Sequence, residues 1–96
     1  MKVARIHEYS GSIAVRIEEV EVLEPDVGEV RIRVAAAGIN NSDLQKTYGT
    51  YRSHEGLPHI LGQEAAGEVD AVGLGVTEFV PGMRVIGRVR GAFAEM

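Results

Sequence analysis

Apolar and charged residues alternate along much of this chain, in short runs. Over residues 29–36, Val30, Ile32, Val34 and Ala36 take one side of an extended chain. Glu29, Arg31 and Arg33 take the other. Period-two alternation of this kind predicts a half-buried strand. Residues 3–6 mix apolar and charged positions and predict a shorter strand. Residues 14–22 are β-branched and glutamate-rich, but their apolar phase shifts from Val15 and Ile17 to Val20 and Val22. A strand cannot change phase without an extra residue, so a bulge or bend is expected near Glu18 and Glu19.

Residues 65–72 form a strand of small residues, and residues 84–90 form another in which Val85, Gly87 and Val89 share a face. Ser10-Gly11-Ser12, residues 24–28, Gly73 with Gly75, and Pro81-Gly82 are turn signals. Gly91 to Met96 opens a further segment. Helical spacing appears only over residues 40–48. Asn40, Asn41 or Ser42 can cap that helix and Gly49 can close it. A helix about two turns long persists only when packed. Residues 50–58, with Tyr51, Arg52, His54 and Gly56, lack periodicity and read as an exposed loop. The expected fold is mostly β, a partly open barrel of short strands with one short helix.

Composition narrows the function. The 96 residues make one domain at most. They cannot hold this core and also the two βαβαβ halves of a dinucleotide-binding domain. Twelve glycines favour turns and short strands over helix bundles. A net charge of −4 argues against a nucleic-acid partner. The absence of cysteine excludes disulfides and thiolate metal sites. No long apolar run suggests a signal peptide or membrane span, so a cytoplasmic protein with no membrane partner is expected.

Few residues are placed to carry chemistry. Gly73-Leu74-Gly75 begins like a phosphate-binding glycine loop, but Glu78 stands where a third glycine belongs and no helix pattern follows. It reads as a hairpin turn. His7, His54 and His59 lack the spacing of a zinc helix and read as ordinary surface or loop histidines. Gly38-Ile39-Asn40-Asn41-Ser42-Asp43 is more informative. It places amides, a hydroxyl and a carboxylate at a strand-to-helix junction, where side chains can be aimed into a cleft. The plainer alternative is a simple N-cap. Leu61-Gly62-Gln63-Glu64-Ala65-Ala66-Gly67 sets Gln63 and Glu64 among apolar neighbours. A carboxylate there is paired or partly wet, and a purely structural role is the alternative.

In this order, the segments resemble the N-terminal GroES-like catalytic domain of the medium-chain dehydrogenase/reductases, shared by zinc alcohol dehydrogenases and quinone oxidoreductases. MKVARIHEY and Arg16 to Val20 look like the family's opening. Pro25 to Val30 resembles its P-x-x-GEV turn and strand. Ala36-Ala37-Gly38-Ile39-Asn40 with Asp43 matches its AAG-[IV]-N-x-x-D. Gly62-Gln63-Glu64-Ala65-Ala66-Gly67 is similar to its G-x-E-x-x-G. Val72 to Val76, Gly82 to Val85, and Gly91 to Glu95 resemble its VG-x-GV, GDRV and GAYAE.

Departures from the family pattern point to a branch. Zinc members carry Cys where Asn40 stands and His where Gln63 stands. The resemblance therefore implies no catalytic zinc. Asn40 is what quinone-reductase-like members carry, in which NADPH reduces a quinone or conjugated carbonyl. Asn40 and Ser42 are implied as catalytic, with Asn41, Gln45, Gln63 and Glu64 at the substrate pocket. Ser42 stands where zinc enzymes keep a proton-relay hydroxyl. Gln45 replaces a tyrosine common in quinone reductases, and Met83 replaces the aspartate of GDRV. No residue here is assigned to cofactor binding.

The family continues with a Rossmann domain. Residues 1–96 are thus expected to be an incomplete GroES-like domain, C-terminally truncated, as a fragment, a truncated product or part of a split protein. Alone it is expected to be inactive. Association through an open edge, or complementation by a Rossmann-containing segment, is expected. A free-standing binding or assembly module is the competing reading. Gly67-Glu68-Val69 with Ala71-Val72-Gly73 is similar to the GEV-x-AVG strand of true co-chaperonins.

Overall fold

A computed structural model describes residues 1–50 and 56–96. Tyr51, Arg52 and His54, placed above in a loop, lie outside the described residues. The chain forms β1 (Lys2–Ile6), a 3-10 turn (Gly11–Ala14), β2 (Arg16–Glu19), β3 (Val30–Ala37), α1 (Asn41–Tyr48), β4 (His59–Ile60), β5 (Glu64–Val72) and β6 (Arg84–Arg88). These make two three-stranded antiparallel sheets, ordered β2-β1-β4 and β3-β5-β6.

The last segment joins the sheets. Ala94 bridges Val3, and the Phe93 carbonyl accepts from the Ala4 N–H at 2.8 Å. On the other side, the Glu95 carbonyl accepts from the Val34 N–H at 3.0 Å. The result is the expected partly open barrel, mostly strand, with one α-helix among the described residues. Its buried centre is small: Ile6, Ala14 and Leu61 cluster with Phe93 against them, and Val3, Val69 and Ala92 are also buried. Small domains bury a modest share of their surface, so each of these residues matters.

Two expectations are corrected. No bulge occurs at Glu18 and Glu19. β2 pairs with β1 in unbroken register from Arg5–Arg16 to Lys2–Glu19, and Met1 and Val20 add one further pair. The chain then leaves the sheet, so the apolar phase changes off the ladder, where nothing forbids it. The bulges lie instead between β3 and β5. Asp70 is the extra residue on β5 between the Arg31–Ala71 and Ile32–Val69 pairs, and Ala35 is the extra residue on β3 between Val34–Gly67 and Ala36–Ala66. Past Ala35 the phase of β3 shifts: Ala36 is exposed and Ala37 half-buried, so Ala36 does not share the face of Val30. Alternation in a sequence shows a strand but not where its partner slips.

Arg31 and Arg33 do share a face, as expected. Both engage Asp70: Arg31 Nη2 lies 2.6 Å from Oδ2, and Arg33 Nη2 lies 2.7 Å from Oδ1. The bulge that displaces Asp70 thus places one carboxylate beneath two guanidiniums. The Arg31 guanidinium is held even more firmly protonated by this bond. The Gly73–Gly75 segment is a tight turn after β5 with no helix behind it.

Candidate active site

The junction between β3 and α1 carries most of the candidate residues. Asn40 is extended, with φ −121° and ψ 158°, and occupies the N-cap of α1. Its N–H donates to Asp43 Oδ2 at 2.8 Å, and the Asp43 N–H donates back to the Asn40 carbonyl at 3.0 Å. An acidic residue three positions after a cap satisfies a backbone donor that the helix itself leaves open. Asp43 is only 4% exposed, and its Oδ1 is buried without a hydrogen-bond partner. At the far end Gly49 takes the left-handed conformation, φ 73°, and donates to the Gln45 and Lys46 carbonyls. Helices end this way because glycine carries no β-carbon to clash.

The second half of the site comes from the start of β5. Gly62, φ 99°, turns the chain with the Phe93 ring and Ala92 packed where a β-carbon would sit. Gln63 follows, its carbonyl held by the Val89 N–H at 3.0 Å. The Gln63 side-chain amide donates to Ser42 Oγ. This bond ties β5 to the first turn of α1 across a separation of 21 residues. Since the hydroxyl oxygen accepts from Gln63, its own proton is directed elsewhere.

Glu64 comes next. Its carboxylate lies against Gly38, in the space a β-carbon would need. Glu64 stands opposite Arg88 on β6. A cleft of about 510 Å³ opens beside it, lined by Ala36, Gly38, Glu64, Ala66, Ile86 and Arg88. A larger cleft of about 750 Å³ shares Ala66 and Ile86 and carries Arg33, Glu68 and Arg84.

The structure therefore brings Ser42 to Gln63 and Gly38 to Glu64. Asn40 stands at the helix entry, half-buried. Asn41 and Gln45 are exposed on α1. Asp43, the carboxylate of the Gly38–Asp43 segment, takes the plainer capping role that the spacing Asn40-x-x-Asp43 signals. The contact of Gly38 with Glu64, and the place of Arg88 opposite Glu64, had no local signal, because these partners are distant in sequence. Among the described residues no cluster of His, Cys, Asp and Glu is arranged to hold a metal ion, and no helix is long and apolar enough to cross a membrane.

Residues 24–95 match the family described as alcohol dehydrogenase GroES-like domain. An alcohol dehydrogenase of Moraxella sp. (strain TAE123) is 38% identical over 85 residues, which are 88% of this chain and 25% of that protein. Escherichia coli quinone oxidoreductase complexed with NADPH superposes with a TM-score of 0.93 at 31% identity, over 99% of this chain and 29% of that one. A mycobacterial quinone oxidoreductase superposes with a TM-score of 0.90 at 33% identity, over 99% and 30%. The chain thus spans between about a quarter and a third of the length of these relatives.

Proposed function

Because this chain belongs to the alcohol dehydrogenase GroES-like domain family, we propose that it is the substrate-side domain of a zinc-independent reductase that uses NADPH on quinones or conjugated carbonyls. In that reading residues 1–96 are a partial GroES-like domain, and the nucleotide-binding function lies in a Rossmann segment outside them. The likeness to quinone oxidoreductases supports an oxidoreductase of this type.

The observation that carries the reading is the bond between Gln63 and Ser42. Catalytic zinc is held by thiolate, imidazole and carboxylate donors. Here the matching positions hold two carboxamides, Asn40 and Gln63, and Gln63 already spends a donor on Ser42. That donor set does not fit zinc, so no step is routed through a metal.

Bound NADPH would supply hydride to the acceptor. Among the described residues no glycine loop leads into a helix to cradle its pyrophosphate, since Gly73 and Gly75 form a plain turn. The residues of this chain act on the substrate. The Ser42 hydroxyl, oriented by Gln63, and the Asn40 amide donate hydrogen bonds to the carbonyl oxygen as negative charge develops there. Preorganised donors of this kind stabilise such charge strongly. Asn41, Gln45 and Glu64 shape the polar rim of the pocket.

The test is to fuse this chain ahead of the Rossmann portion of Escherichia coli quinone oxidoreductase and follow NADPH oxidation with a quinone. Quinone-dependent turnover that survives chelation, with none from the 96-residue chain alone, is expected. Turnover by the isolated chain, or loss of fusion activity on chelation, would overturn the reading.

A further inference from the structure

β6 and β2 are the outer strands of their two sheets. In β6 the odd-numbered residues face β5: the Val69 N–H donates to the Met83 carbonyl, and the Val89 N–H to the Gln63 carbonyl. Antiparallel strands alternate the direction of their backbone groups. The N–H and C=O of Arg84, Ile86 and Arg88 therefore point outward. In β2 the even-numbered residues face β1, because Met1 and Val20 exchange backbone bonds. Ile17 and Glu19 point outward there. Among the described residues neither edge has a further strand beside it, and each is centred on an exposed isoleucine, with Ile86 85% and Ile17 70% exposed.

The edges differ in charge. β6 carries Arg84 and Arg88, with Arg90 just beyond. β2 ends in Glu18 and Glu19, with Glu21 just beyond. Two copies of β6 cannot pair well. With Ile86 opposite Ile86, each Arg84 would meet an Arg88, and like charges directly opposite destabilise a sheet. β6 against β2 has no such conflict. With Ile86 opposite Ile17 in antiparallel register, Arg84 stands opposite Glu19 and diagonal to Glu21, and Arg88 covers Val15.

We propose that the basic edge of β6 pairs with the acidic edge of β2 in a second copy of this chain. The contact joins two different surfaces, so every added copy leaves a free β6 at one end and a free β2 at the other. Such heterologous pairing builds open chains unless its rotation closes a ring. Only a few residues meet, so the contact is weak and shows itself at high concentration. It is partly ionic and exposed, so salt loosens it.

The experiment is light scattering of the 96-residue chain over a rising concentration series. The mean mass is expected to climb continuously past that of a dimer and to fall back in high salt. The variant Glu19→Arg/Glu21→Arg should remain a monomer. The Glu19 side chain pairs with the N-terminal ammonium at 3.3 Å and is 71% exposed, so its replacement leaves the buried core untouched. A synthetic peptide of residues 14–22 should cap β6 of the unaltered chain and stop growth without any mutation. A monomer at every concentration, a mass that never exceeds that of a dimer, unchanged growth of the variant, or growth indifferent to the peptide would each overturn the proposal.

Discussion

Glu64 lays its carboxylate in the space beside Gly38 that a β-carbon would need. Gly38 follows the end of β3 and Glu64 opens β5, yet each sets what the other can be. Gly38→Ala is expected to swing the exposed Glu64 carboxylate out of its seat and cost at most about 1 kcal/mol, the low end of overpacking, because the end of a flexible side chain can move. In a Glu64→Ala background the same change should cost close to nothing, because the obstacle is gone. Urea denaturation of the four proteins in the cycle measures this. Equal costs in both backgrounds would show that the contact does not couple the two positions.

Asp43 holds the entry to α1. Asp43→Ala removes the acceptor of the Asn40 N–H and leaves a small cavity in a buried place. A loss of about 1–3 kcal/mol is expected. Asp43→Asn keeps an oxygen of similar shape and should lose less. Thermal unfolding compares them. A larger loss for the asparagine variant would mean that the charge, not the cap, is what the site requires.

Glu18 makes stability depend on acid. Arg5 Nε donates to its carboxylate at 2.7 Å, and His7 Nε2 lies 2.6 Å away. The Arg5 bond, then the His7 bond, holds the Glu18 carboxyl below its ordinary value of 4.5. A carboxylate whose value is lower in the folded chain contributes stability above the unfolded value. It loses that contribution as pH falls through the folded value. The gap in melting temperature between the parent and Glu18→Gln should be full at neutral pH and close as pH drops below about 4.5. A gap that stays constant through that range would remove Glu18 from the acid response.

Ser42 and Gln63 should act as a unit in the fusion with a Rossmann portion. Gln63→Ala and Ser42→Ala are each expected to lower kcat about tenfold or more, as loss of one oriented donor does. Together they should lower it little further, since groups that act through each other are not additive. Steady-state kinetics of the two single variants and the double variant decide this. Fully additive losses would show that the two residues work separately.

Local features were legible in the residue order because their causes are local. The N-cap at Asn40, the left-handed stop at Gly49 and the strand over residues 29–36 each depend on neighbours within a few positions. Asn40 and Gln63 could be singled out by the segments that carry them and by the family motifs those segments resemble. What only the tertiary structure decided is which distant residues meet. Ser42 reaches Gln63, Gly38 makes room for Glu64, and Asp70 sits beneath both Arg31 and Arg33. The bulges at Asp70 and Ala35 follow from how β3 and β5 fit together, and neither strand's own pattern records that fit. Alternation specifies which side of a strand is apolar. Register depends on the partner's side chains and on the closure of the barrel, which are set only when the sheets assemble.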